Sequence, residues 1–85
     1  MMNVRDLVDA FNNAYFVRFA NAETVYVWYG GNGVYIYHVS PEGVTEYDLF
    51  SFGYGDREPT LAEARRLTDE HIAAARELAR ADTRQ

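Results

Sequence analysis

The chain contains no cysteine and no lysine. Without cysteine it has no disulfide bond, no thiolate metal site and no cysteine nucleophile, which excludes the disulfide-stapled class of small secreted domains. We therefore expect a reducing compartment, the cytoplasm. All eight basic residues are arginine, a preference that fits a GC-rich genome and predicts no function.

Long apolar runs are also absent. No stretch approaches the roughly 20 apolar residues that a bilayer-spanning helix needs. Arg5, Asp6, Asp9 and Arg18 interrupt the first twenty residues, where a signal peptide needs an unbroken apolar segment. We expect a protein that is neither exported nor embedded in a membrane, and 85 residues with 48% hydrophobic side chains predict one folded domain over 1–85.

Positive charge is scarce, and the net charge is −5. An acidic chain suits nucleic-acid phosphates poorly, so we expect no direct nucleic-acid binding and favour a protein partner with a basic surface. Residues 42–63 hold six acids against one base, Arg57. Such carboxylates either keep the surface solvated or mimic phosphates toward a basic groove. The six acids are Glu42, Glu46, Asp48, Asp56, Glu58 and Glu63.

Hydrophobic periodicity predicts a first helix followed by four strands. The helix is expected over 3–12, with Asn3 as N-cap and an apolar stripe that ends at Phe11. After it the period changes to two, which is typical of strands. The strands are expected over 15–20, 24–29, 34–39 and 44–50.

A longer helix is expected over 60–81. Thr60 and Glu63 have the spacing of a capping box at its start, and residues 82–85 should fray. Its apolar arc, which we expect to be buried, contains Leu61, Ala64, Leu67, Thr68, His71, Ile72, Ala74, Ala75, Leu78 and Ala79.

The hairpin from Thr24 to Val39 has two contrasting faces. We count alternate residues outward from a four-residue turn, Gly30-Gly31-Asn32-Gly33. The count predicts an aliphatic face with Val25, Val27, Tyr29, Val34 and Ile36. It predicts an aromatic face with Thr24, Tyr26, Trp28, Tyr35, Tyr37 and Val39.

These elements predict an α+β fold: a four-stranded antiparallel meander with the N-terminal and the longer C-terminal helix packed on one face, the aliphatic one. No further segment is then left to cover the aromatic face. Glu46 and Asp48 are expected to point outward on that side, because an unpaired buried carboxylate is costly. The prediction is an exposed aromatic surface bordered by acids.

No catalytic motif is visible. Ser40 and Ser51 lack a neighbouring base in sequence, and the only histidines are His38 and His71. Both are expected near the helix–sheet interface, where a neutral, hydrogen-bonded histidine is the favoured interpretation. We expect neither an enzyme nor a metal or other cofactor, and a small ligand-binding or enzymatic domain that uses the two histidines remains the alternative.

Three other interpretations of the aromatic face stay open. The rings can form a second packing layer with loop residues such as Phe52 and Tyr54. They can bind a second copy of the chain in a homodimer, or a different protein, since tyrosine and tryptophan are frequent interface anchors. An RNA-stacking platform is disfavoured because its flanks are normally basic.

The layout resembles the small acidic phage-encoded anti-CRISPR proteins. The resemblance lies in the opening segment Met2–Leu7, the strand Tyr15–Phe19 that follows, and the uncompensated acids from Glu42 to Glu63. It implies an inhibitor in the host cytoplasm whose partner is a CRISPR effector subunit. The partner-binding residues expected from the hairpin and the acids are Tyr26, Trp28, Tyr35, Tyr37, Glu46, Asp48, Asp56 and Glu58.

Overall fold

The computed structural model describes residues 11–83, and within them it contains four strands and one helix. Residues 11–13 form a turn that the Ala14 N–H closes on the Phe11 carbonyl at 3.0 Å. Residues 3–10 of the predicted first helix lie outside the described residues. The elements are β1 (Phe16–Asn21), β2 (Thr24–Trp28), β3 (Gly33–Ser40), β4 (Gly43–Ser51) and α1 (Leu61–Thr83).

The strands form one antiparallel sheet in the order β1-β2-β3-β4, as a meander requires. The β2–β3 connection reverses through Gly30 and Gly31, whose φ angles of 96° and 83° lie in the left-handed region that favours glycine. The predicted antiparallel sheet and C-terminal helix are confirmed.

The predicted register of the hairpin is wrong by one residue, so its predicted faces are wrong as well. Val25 pairs with Tyr37 and Val27 with Tyr35, so an odd number of residues, 28–34, separates the last pair. A four-residue turn between residues 29 and 34 would have required an even number. Because side chains alternate, a shift of one residue moves every β3 side chain to the opposite face.

One face of the sheet, here the helix face, packs against α1. Tyr26 and Trp28 from β2 lie there with Val34 and Ile36 from β3, and all four are buried against Ala64 and Ile72 of α1. Burial stabilises the fold by about 1.5–3 kcal/mol for a side chain such as Ile36. The two aromatic residues of β2, Tyr26 and Trp28, therefore belong to the core and not to the surface.

The opposite face carries a second, smaller cluster. Phe11 is 7% exposed and packs with Val25 and Val27, both fully buried. Its ring lies 4.9 Å from that of Tyr37. The aliphatic residues of β2 thus lie opposite α1, beside Phe11. The expectation that α1 packs on this aliphatic side is wrong, because α1 packs on the side of Tyr26 and Trp28.

The capping box at the start of α1 is confirmed. The Thr60 N–H donates to Glu63 Oε1 at 2.9 Å, and the Glu63 N–H donates to Thr60 Oγ1 at 3.2 Å. The helix runs through Thr83, two residues beyond the predicted end.

The second half of α1 differs from its predicted burial. Ala64, Thr68 and Ile72 are buried, but Ala74, Ala75, Leu78 and Ala79 are exposed. Ala75 and Ala79 line an open space together with Asn21 and Thr24 of the sheet. The second half of the apolar stripe therefore faces a gap beside β1 and β2 and not a packed core. No helix within residues 11–83 is long and apolar enough to span a membrane.

Candidate protein-binding surface

The face opposite α1 presents a group of exposed tyrosines near β4. In the ladder Tyr35 lies directly opposite Leu49, and Tyr37 lies opposite Glu46. Tyr29, at the end of β2, has its ring centroid 6.0 Å from that of Tyr35. We call these five residues, Tyr29, Tyr35, Tyr37, Glu46 and Leu49, the tyrosine patch.

The patch is a partly solvated apolar surface. Tyr29 is 38% exposed, Tyr35 37% and Leu49 53%. Tyr37 is half-buried, between the rings of Phe11 and Tyr35. One side of Tyr37 thus joins the patch to the Phe11 cluster, and its neighbours remain accessible to a partner.

The Tyr37 hydroxyl stays neutral at physiological pH. Burial, a hydrogen bond with Tyr29, and the nearby Tyr29 and Glu46 groups raise the pKa of Tyr37 to about 12. The patch therefore combines aromatic rings with one carboxylate, Glu46, at its edge.

A β-bulge decides which acids of β4 reach the patch. Ile36 pairs with Asp48 and Tyr37 with Glu46, so residue 47 is the extra residue in β4. Glu46 consequently lies on the patch side and Asp48 on the helix face. The prediction that these two acids share a face is wrong, because a bulge interrupts the alternation. The Asp48 carboxylate instead accepts a hydrogen bond from the Leu49 N–H at 2.8 Å.

Tyr26 and Trp28 do not belong to an exposed surface. Each is 4% exposed. The Tyr26 hydroxyl hydrogen-bonds His71 Nδ1 at 2.9 Å, and the Trp28 indole N–H donates to the Gly31 carbonyl at 3.0 Å. Their predicted exposure is wrong because α1 packs on the face that we expected to be open.

Asp56 and Glu58 are exposed in the loop between β4 and α1. Within the described residues, no hydrogen bond or ion pair joins their carboxylates to the tyrosine patch. The loop is held against the hairpin connection instead, since Asn32 donates to the Tyr54 carbonyl and accepts from the Tyr54 N–H. The structure thus shows no direct contact between the carboxylates of these two acids and the tyrosine patch.

The same loop contains an ion pair between Arg57 and Glu63. Arg57 forms two 2.9 Å hydrogen bonds with the Glu63 carboxylate, and its guanidinium lies 4.4 Å over the Tyr54 ring. Hydrogen bonds from Arg57, followed by the Thr60 N–H, lower the pKa of Glu63 to about 2. Glu63 thus neutralises Arg57 and caps α1.

The two histidines lie in different surroundings. His71 is half-buried and stacks on Phe50, with ring centroids 4.1 Å apart. His38 is exposed, although it was expected near the helix–sheet interface. Within the described part of the chain, no three histidine, aspartate or glutamate side chains are grouped to hold a metal ion.

A cavity of about 180 Å³ lies between the β1–β2 end of the sheet and α1. Tyr26, Thr24, Arg76 and Ile72 are among its lining residues, together with several alanines. Its polar lining side chains are Asn21, Thr24, Tyr26 and Arg76.

Sequence reasoning missed Tyr29 and Leu49 as surface residues. Tyr29 would have been found by treating residues 28–34 as an odd-numbered connection, which places it on one face with Tyr35. Leu49 would also have required the bulge at residue 47, which places it opposite Tyr35. Of the eight predicted partner-binding residues, the structure brings together three: Tyr35, Tyr37 and Glu46. Comparisons of the chain with protein-family models, curated proteins and solved structures find no match.

Proposed function

We propose that this chain is a small, non-enzymatic inhibitor that binds a protein partner through the tyrosine patch. The observation that carries the proposal is the exposure of Tyr29, Tyr35 and Leu49 side by side on one face of the sheet. The other face is covered by α1. Rigid aromatic side chains contribute large contact area at low entropic cost and are frequent hot spots of binding.

Charge supports a basic partner. Residues 19–56 contain five acids and no arginine or lysine. An acidic field around an aromatic surface speeds encounter with a basic protein and disfavours nucleic acid. It also disfavours a second copy at the same surface, because each copy would bring Glu46 toward the other.

The specific form of this proposal is an anti-CRISPR role, with a basic nucleic-acid-handling subunit of a CRISPR effector as the partner. The exposed acids Asp56 and Glu58 then contribute to a phosphate-like field outside the contact itself.

Affinity capture with matched variants tests the proposal. Tyr35→Ala/Leu49→Ala removes the centre of the patch, and Tyr15→Ala/Leu78→Ala makes the same two changes at other exposed positions, 65% and 70% exposed. We expect the partner recovered with wild-type protein to be lost with the first variant and kept with the second. Equal recovery by both variants would remove the patch as the binding surface.

A further inference from the structure

One arginine site is already built into the chain. The Arg57 guanidinium lies over the Tyr54 ring at 4.4 Å and forks onto the Glu63 carboxylate with two 2.9 Å hydrogen bonds. A tyrosine face and a glutamate thus hold one guanidinium from two directions. A planar, weakly hydrated cation suits this combination.

The tyrosine patch offers the same two groups without the arginine. Glu46 is exposed and lies directly opposite Tyr37, with the Tyr35 ring 6.4 Å from that of Tyr37. Within residues 11–83, Glu46 forms no ion pair. The arginines of this part of the chain are elsewhere, and four are paired with other acids. Those pairs are Arg18–Asp69, Arg57–Glu63, Arg66–Glu70 and Arg80–Glu77.

We infer that the tyrosine patch takes an arginine side chain of the partner, stacked on its tyrosine rings and paired with Glu46. This inference rests on the proposed function and names the chemistry of its partner. Arginine is favoured over lysine because its guanidinium stacks on aromatic faces and loses less hydration on contact. Leu49, 53% exposed and opposite Tyr35, supplies an apolar neighbour for the residues flanking that arginine.

Peptide titration tests the inference without knowledge of the partner. The probe is a capped pentapeptide with a central arginine between leucines, compared with versions that carry lysine or neutral citrulline at the centre. Binding is followed by NMR chemical shifts of the full-length chain. We expect shifts at Tyr35, Tyr37, Glu46 and Leu49, and a Kd about tenfold weaker for citrulline, with lysine in between.

Two variants on the same strand provide the matched control. Glu46→Gln removes the carboxylate of the patch, and Asp48→Asn removes the same charge from the helix face. We expect Glu46→Gln to weaken the arginine peptide about threefold, the size of an exposed ion pair, and Asp48→Asn to leave it unchanged. Equal effects of the two variants, equal binding of citrulline, or shifts confined to another surface would overturn the inference.

Two further controls test whether a variant still folds and whether the aromatic ring is sufficient for binding. Glu46→Gln should retain the wild-type unfolding midpoint, and Tyr35→Phe, which keeps the ring, should retain arginine binding. Should the peptide fail while Tyr35→Ala/Leu49→Ala still loses the captured partner, the arginine assignment falls and the proposed function stands. Should the peptide bind while that variant captures normally, the arginine site stands and the proposed function falls.

Discussion

At the scale of single residues, Glu63 has two roles: one is set by the neighbouring sequence and the other by the fold. Its carboxylate accepts the Thr60 N–H at the start of α1 and both guanidinium bonds of Arg57. The capping role was predictable, because the Thr-x-x-Glu spacing is local. The pairing with Arg57 was not, because it depends on how the loop folds back over Tyr54.

Glu63 should make stability depend on pH in the acid range. The pKa of Glu63 in the folded chain, about 2, lies below its ordinary value of 4.5. The stabilisation is therefore present above the unfolded pKa and is lost as pH falls through the folded pKa. We expect Glu63→Gln to lower the urea midpoint at neutral pH, with the gap from wild type closing toward about pH 2.

The matched control is Glu58→Gln in the same loop, where Arg57 contacts the backbone carbonyl. This variant should follow the wild-type profile across the titration. If the gap between Glu63→Gln and wild type stayed constant with pH, the stabilisation would come from the shape of the side chain and not from its charge.

At the scale of secondary structure, periodicity predicted the elements but not their facing. Strand alternation and the capping box are local signals, so β1 to β4 and α1 could be predicted from sequence. Which face a side chain occupies depends on whether the β2–β3 connection, residues 28–34, has an odd or an even number of residues. It also depends on the bulge at residue 47. Trp28 is buried because α1 packs on its face, and Leu49 is exposed because the bulge places it opposite Tyr35 on the other face.

The two halves of α1 should respond differently to truncation. Ile72 is 5% exposed in the helix-face core, whereas Leu78, in the second half of the helix, is 70% exposed. We expect Ile72→Ala to lower the free energy of unfolding by about 2–4 kcal/mol, and Leu78→Ala to change it by less than about 0.5 kcal/mol. Urea unfolding followed by circular dichroism measures both. A large loss for Leu78→Ala would mean that the second half of α1 is packed in solution.

Both edge strands, β1 and β4, contain a bulge, and at each bulge a side chain forms a hydrogen bond with the backbone of the edge strand. On β1 the register shifts between Phe19 and Asn21, and Arg76 donates to the Ala20 carbonyl. On β4 the Asp48 carboxylate accepts the Leu49 N–H. Such features block the addition of another strand, which fits partner binding through a face of the sheet and not through an edge.

Removal of these contacts should therefore promote strand pairing between molecules. We expect Asp48→Ala/Arg76→Ala to self-associate at concentrations where the wild type does not, as measured by sedimentation velocity and thioflavin fluorescence. Asp48→Asn, which keeps the side-chain acceptor, should behave like wild type. Unchanged sedimentation of the double variant would show that the bulges alone protect the edges.

At the scale of the whole molecule, charge is unevenly distributed along the chain. The acids of residues 19–56 have no basic counterpart in that stretch, whereas two of the four arginines on α1, Arg66 and Arg80, pair with acids of the same helix. Those two pairs leave little unbalanced charge to attract a partner. The tyrosine patch has exposed rings and an acid, Glu46, that forms no ion pair within the described part of the chain, so the aromatic contact area and the charge lie on the same surface.

This distribution of charge predicts that the protein is a monomer. Two copies that met through the tyrosine patch would bring their Glu46 carboxylates together with no arginine on β2, β3 or β4 to offset them, and the repulsion would be strongest at low ionic strength. Sedimentation equilibrium from micromolar to near-millimolar protein should give the monomer mass throughout, at low salt and at high salt. A dimer that Leu49→Asp abolishes but Leu78→Asp leaves intact would instead assign the patch to self-association. The inhibitor proposal would then give way to a homodimerising module, because the same rings cannot bind a second copy and an arginine-bearing partner at once.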